Sequence, residues 1–217
     1  MKHPYYILGL ATALAVATPL HAQEDNSAND GKYNPTVSGS IQSDILVPTG
    51  KQSDGSHEDF RTNTFVDLSV MSKFLDAGAR FEYREHQLPG YDPGFKGYGV
   101  PYIYLKAKLK NFEVTAGNFY EQFGSGFVLR TYEERSLGID NSLLGARIVT
   151  TPVKGVRLKA LTGQQRRYWA HNDAWISGAD LELSLDNWFQ SLAKIGTSMT
   201  LGGSFVNKNE SNDENIF

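Results

Sequence analysis

The chain of 217 residues contains no cysteine. That excludes disulfides, thiolate metal sites, a cysteine nucleophile and a lipid anchor carried on cysteine. It also lacks an apolar run long enough for a spanning helix, which needs about 20 residues, so membrane residence could come only from strands. Neither sign of charge dominates: 21 Lys and Arg against 24 Asp and Glu give a net charge of −3. A nucleic-acid partner is therefore not expected. Bases are scarce too, for beyond residue 22 the only histidines are His57, His86 and His171. Gly50-Lys51 lacks the upstream glycine and following Ser or Thr of a phosphate loop, and Gly124-Ser125-Gly126 lacks the flanks of a nucleophile elbow. No enzymatic activity, cofactor or metal is expected.

What the chain does contain begins with an export pattern. Lys2 and His3 precede an apolar stretch from Ile7 to Val16, then Pro19 and a small residue at Ala22. This reads as a signal peptide over residues 1–22, too short to be a spanning helix. Residues 23–34 are polar and without periodicity, as in a flexible periplasmic lead-in.

From 35 to 217 the dominant signal is alternation. In Ala77 to Gln87, Ala77, Ala79, Phe81 and Tyr83 fall on one side and Arg80, Glu82, Arg84 and His86 on the other. Successive side chains of a strand point to opposite faces, so such a segment shows one wall to an apolar medium and a charged wall to water. Val66, Leu68 and Val70 likewise oppose Asp67 and Ser69; Ile103, Leu105, Ala107 and Leu109 oppose Tyr104, Lys106 and Lys108. Leu158 and Ala160 oppose Arg157 and Lys159, and Ala179, Leu181 and Leu183 oppose Asp180 and Glu182. Nine strands are expected, over 35–47, 62–72, 77–87, 101–109, 112–119, 141–151, 155–164, 174–185 and 195–206.

The connections alternate in length. Those at 73–76, 110–111, 152–154 and 186–194 are short or aromatic, and those at 48–61, 88–100, 120–140 and 165–173 are longer and polar. Outer-membrane barrels have short periplasmic turns and long external loops, with aromatic girdles at the interfaces; Phe74, Phe112, Trp188 and Phe189 lie beside the short turns. The fold class expected is all-β, an antiparallel up-and-down transmembrane β-barrel. Bacterial single-chain barrels have even strand counts, so nine strands are read as the incomplete N-terminal part of a longer barrel, with its first and last strands not paired to each other.

One stretch carries a resemblance. GNFYEQFGSGF, R-x-YEER and LGIDN, within Gly117 to Ile148, are similar to the corresponding region of a large family of Bacteroidetes outer-membrane barrel proteins of unknown function. The resemblance implies a porin-like barrel and supplies neither substrate nor catalytic residues. From the residues alone, Gly124 and Gly126 permit a sharp turn, and Arg130, Glu133, Glu134 and Arg135 are too charged to face lipid. Tyr120 to Asp140 is thus expected to bend inward as a constriction loop, with Arg130, Glu133 and Arg135 near the inner wall; Arg130 and Glu134 would pair if the segment were helical.

The inner wall supplies the pore candidates: Arg80, Arg84, Lys106, Lys108, Arg147, Arg157 and Lys159 against Glu82, Glu113, Asp180 and Glu182. Charged rings bias ion passage, whereas cross-strand pairing would only stabilise the wall. Ser53, Asp54, His57, Glu58 and Asp59 gather on one loop but lack ligand spacing. The function expected is an outer-membrane porin-like barrel that passes or binds small solutes, with lipid as its other partner. Two alternatives use the same alternation: a soluble secreted β-sandwich that binds a glycan or protein, and an outer-membrane enzyme, for which paired catalytic groups are lacking.

Overall fold

The computed structural model describes residues 10–16, 35–48, 60–189 and 194–210. The expected lead-in at 23–34 and the cluster of Ser53, Asp54, His57, Glu58 and Asp59 lie outside them. Twelve strands follow in order: β1 (Leu10–Val16), β2 (Thr36–Leu46), β3 (Arg61–Met71), β4 (Leu75–Tyr83), β5 (Tyr98–Leu109), β6 (Phe112–Phe119), β7 (Glu133–Glu134), β8 (Ile139–Asp140), β9 (Leu143–Thr150), β10 (Val156–Arg167), β11 (Ala170–Ser184) and β12 (Thr200–Asn209). β7 and β8 form a two-stranded sheet of their own.

The nine long strands from β2 to β12 lie in a single sheet in sequence order, with β1 added before β2. β1 falls inside the segment expected as an export signal, and pairs antiparallel with β2 from Leu10↔Ile45 to Val16↔Gly39. The order is linear. Among the described residues no pairing joins its two ends, so the sheet is all-β, antiparallel where its register is described, and open; it does not close into a barrel.

The strands depart from the expected boundaries mainly at one hairpin. A long connection was expected over 165–173, but β10 and β11 extend through it and are joined by Tyr168 and Trp169 alone. Tyr168 adopts φ 57° there, a left-handed conformation that lets two residues reverse the chain. A register shift between Gln164 and Arg166 precedes the turn. β12 starts five residues later than the expected 195.

The described residues form two compact units, Met1–Lys73 with Ala77–Ile103, and Phe74–Asp76 with Tyr104–Phe217. In the first, β2 and β3 pair from Thr36↔Met71 to Leu46↔Arg61. This register sets Val37 against Val70 and Ile41 against Val66 on one face, and Asp44 against Asn63 and Gln42 against Phe65 on the other. In the second, β6, β9, β10, β11 and β12 pair in succession. Arg147 and Leu161 are opposite each other, as are Lys159 and Asp180, Leu161 and Gly178, and Asp180 and Ser204. The polar face of the second unit is therefore continuous across five strands.

Burial is inverted relative to a soluble sheet. Glu82, Arg84 and Asp180 are 0%, 2% and 2% exposed, while Leu68, Leu105 and Phe205 are 58%, 49% and 69% exposed. In each unit, charge is covered and aliphatic side chains face outward. The short turns of the second unit are tied together: Lys108 N donates to Phe74 O at 2.7 Å and Thr151 N to Asn111 O at 2.9 Å, and Trp188 Nε1 donates to Lys154 O at 2.8 Å. Phe74, Phe112, Trp188 and Phe189 are all exposed at that end.

Candidate functional site: the polar face and the segment folded on it

Covered charges need partners, because desolvation of an ion costs several kcal/mol. In the first unit, β4 alternation puts Arg80 and Glu82 on the covered face, with Arg84 just beyond. Arg80 Nε bonds Asp67 Oδ1 at 2.6 Å and the guanidinium lies 5.2 Å over the Tyr102 ring. Arg84 Nη2 meets Glu82 Oε2 at 2.9 Å. Its guanidinium is caged by Phe65, Phe95 and Tyr91 at 4.9, 4.8 and 5.5 Å. Phe95 comes from a 3-10 turn, Pro93–Phe95, whose first amide is capped by Asp92 Oδ1. The connection after β4 is thus folded back over Arg84, and it is held there by the Arg84 N to Gly97 O bond of 2.7 Å.

In the second unit the pairs run between strands. Lys108 Nζ meets Asp76 Oδ1 at 2.7 Å, and Lys106 Nζ is 3.8 Å from Glu113 Oε1. Arg147 binds Glu113 through Nη2 and Glu121 Oε2 through Nη1, the latter at 3.0 Å. Lys159 Nζ sits among Glu121 Oε1 at 3.3 Å, Glu182 Oε1 at 3.4 Å and Asp180 Oδ2 at 3.8 Å. Asp180 also accepts from Ser204 Oγ at 2.6 Å. Arg157, next to the short turn, is exposed and makes no ion pair among the described residues. The wall charges singled out by alternation are otherwise paired, which is the stabilising arrangement and not a ring of unneutralised cations.

The segment from Tyr120 to Asp140 lies on this face, and Glu121 and Gln122 make its contacts with β9 and β10. Glu121 bridges β9 and β10 through Arg147 and Lys159, and Lys159 Nζ also donates to Gln122 O at 3.0 Å. Phe123 and Leu129 are buried in a cluster with Phe119, Leu143, Leu161 and Ile176, against which Val206 packs. Phe123 occupies the notch at Gly178, where a Cβ would come within 2.8 Å of its ring. Gly124 and Gly126, at φ 49° and 85°, turn the chain back, and Thr131 N returns to Glu121 O at 2.8 Å.

Arg130, by contrast, is exposed, with its guanidinium 5.0 Å from the Tyr132 ring. No helix forms to bring it to Glu134. Instead Glu133 and Glu134 form β7 and a 3-10 turn, Arg135–Leu137, follows; Glu134 accepts from the Ser136 amide and hydroxyl, which draws its carboxyl below the usual range. Glu133 and Arg135 pair with each other at 3.0 Å. The base of the segment is closed by Asp140, which meets Arg166 Nη1 at 2.5 Å and accepts from Tyr120 Oη at 3.1 Å. Glu121, Phe123, Asp140 and Arg166 were not distinguishable in sequence: the first three lie in the Tyr120–Asp140 segment, which has no period of its own, and their partners are set by a register that no local pattern reveals.

Among the described residues no helix is long and apolar enough to cross a membrane, which says nothing of crossing by strands. A family model matches residues 3–216. The chain belongs to DUF6029, a family of unknown function. Comparison with curated proteins and with solved structures gave no match. Any account of what this DUF6029 chain does therefore starts from its two faces. In the second unit, the paired cations of the covered face, the carboxylates that hold them and the segment stapled over them form one polar surface. At its margin a cavity of about 560 Å³ remains, bounded by Phe123, Ser125 and Phe127 of the segment and Glu182, Thr200 and Gly202 of β11 and β12.

Proposed function

We propose that this DUF6029 chain forms wall of an outer-membrane, porin-like β-barrel that passes or binds small solutes. The observation that carries this reading is the inverted burial: ion-paired side chains are covered while Leu68, Leu105, Leu158 and Phe205 face outward. In water each such side chain forgoes about 1.5–3 kcal/mol of burial, whereas lipid removes that cost. A bilayer accepts β-structure only where the backbone is paired. The long antiparallel ladders meet that requirement within the sheet, and its free edges would need pairing as well. Exposed aromatics at the short turns match an interfacial girdle. The export pattern and the motifs shared with Bacteroidetes outer-membrane barrels support the same address.

The test is fractionation of the full chain expressed in a Gram-negative host with its N-terminal segment intact. The protein is expected in the outer-membrane fraction, released only by detergent. Recovery as a folded, monodisperse monomer in the periplasm without detergent would overturn the reading. Reconstitution into planar bilayers then measures passage directly, with solute-dependent conductance as the expected result.

A further inference from the structure

We infer that Glu121 is a positioning residue: its carboxylate fixes the tip of the Tyr120–Asp140 segment against β9 and β10, and so sets the clearance between that tip and β12. The side chain is largely covered, 9% exposed, and its two oxygens go to different strands, Oε2 to Arg147 at 3.0 Å and Oε1 to Lys159 at 3.3 Å. Ion pairs buried to this degree are strong only where the geometry is complete. Here it is completed by the adjacent backbone, since Lys159 Nζ also donates to Gln122 O at 3.0 Å. The next residue, Phe123, fills the Gly178 notch. Three consecutive residues therefore grip the sheet, by charge, by carbonyl and by ring.

Beyond that grip the tip returns to the sheet at Leu129, buried in the same cluster, with Phe123 N bonded to Leu129 O at 3.0 Å and Gly126 N to Phe123 O at 2.8 Å. Phe127 is 94% exposed and Val128 50%, and Gly124 and Gly126 on either side of Ser125 take positive φ. The cavity of about 560 Å³ between Ser125, Phe127 and Val128 and the β12 residues Thr200, Gly202 and Ser204 thus has one wall in the sheet and one in the tip, which Glu121 fixes by charge beside the packing of Phe123 and Leu129. This deepens the pore reading, on which the use of that clearance rests. The positioning itself does not depend on it.

Removing the Glu121 charge leaves the sheet's own pairs in place, for Arg147 keeps Glu113 and Lys159 keeps Asp180 and Glu182. Glu121→Gln is accordingly expected to fold and to free only the tip. Because the chain has no cysteine, spin labels can be placed uniquely at Ser125→Cys and Thr200→Cys in the detergent-solubilised full chain. Pulsed electron resonance should give one narrow distance distribution with Glu121, the same with Glu121→Asp, and a broad one with Glu121→Gln. A narrow distribution in Glu121→Gln overturns the inference. Phe123→Leu keeps the carboxylate and loosens the ring contact, and so decides the matter if Glu121→Gln does not fold: a narrow distribution supports Glu121, and a broad one transfers the role to the ring. In planar bilayers Glu121→Gln should raise mean conductance and open-state noise. If no variant and no parent conducts, the pore reading fails while the distance measurement still stands.

Discussion

Arg166 and Asp140 show what a charge requires to be 4% and 6% exposed. Beside their 2.5 Å contact, Asp140 accepts from the Ser142 amide and the Tyr120 hydroxyl, and Arg166 Nε donates to Tyr168 O at 2.7 Å. Asp140→Ala removes the carboxylate that meets the buried guanidinium, and an unfolding titration in detergent should show a loss of about 3–5 kcal/mol; a loss under about 1 kcal/mol would mean water reaches the pair. His171 gives a pH test at the same end of the sheet, on the part of β11 that extends past the expected span. Burial, and then Arg166, lower its pKa below the usual 6.5. The folded state thus prefers neutral imidazole. Its contribution is intact above pH 6.5 and is lost as pH falls below that value. His171→Gln should flatten the stability profile just below about pH 6.5, where the wild type declines. At this scale alternation made the wall residues legible, Arg80, Lys159 and Asp180 among them, because side-chain direction in a strand is fixed by parity. It could not reveal which cation meets which carboxylate, because that depends on register between strands far apart in sequence.

Strand lengths and faces were the most legible elements, and connections the least. β6 begins and ends where alternation placed it, whereas β10 and β11 run on into a hairpin that reads in sequence as a polar loop. The reason is that Arg166 and His171 face each other in the ladder while the Arg166 guanidinium meets Asp140 and Tyr168 O, so polarity alone did not mark the end of the strands. A strand needs about 9–11 residues to cross a bilayer, and β11 has 15. In the proposed barrel wall its excess should stand clear of lipid at the Trp169 end, leaving Trp175 and Trp188 near the two interfaces. With only three tryptophans in the chain, single-tryptophan variants in vesicles containing bromine near the headgroup end of the acyl chains can test this. Trp175 and Trp188 should be quenched, and Trp169 should not; equal quenching of Trp169 would refute the assigned depth. Elsewhere the close approach of β9 and β10 depends on glycine. A Cβ at Gly145 would meet Thr162 O at 2.0 Å and Gly163 Cα at 2.5 Å, contacts made by backbone that cannot step aside. Gly145→Ala should break pairing between these strands, seen as lost protection of the Leu161 and Gly163 amides in hydrogen exchange.

For the whole molecule, the strand order is the plainest feature: β2 to β6 and then β9 to β12, each long strand beside its predecessor in the chain. A topology built only from neighbours in sequence keeps the separation of its cross-strand contacts to about the length of two strands and their connection, and rates of folding track that separation. The chain can therefore assemble as it arrives, one hairpin after another, each new strand templated by the free edge of the last. The longest interval between neighbouring strands among those described is the one from Phe119 to Leu143, which joins β6 to β9. Loop-closure entropy rises only by about 0.6 kcal/mol for each doubling of length, so this interval is a pause more than a barrier. It divides the order of events into an early half and a late one, and a protease pulsed in during assembly should find the Gly124–Gly126 bend open long after β2 and β3 have become resistant.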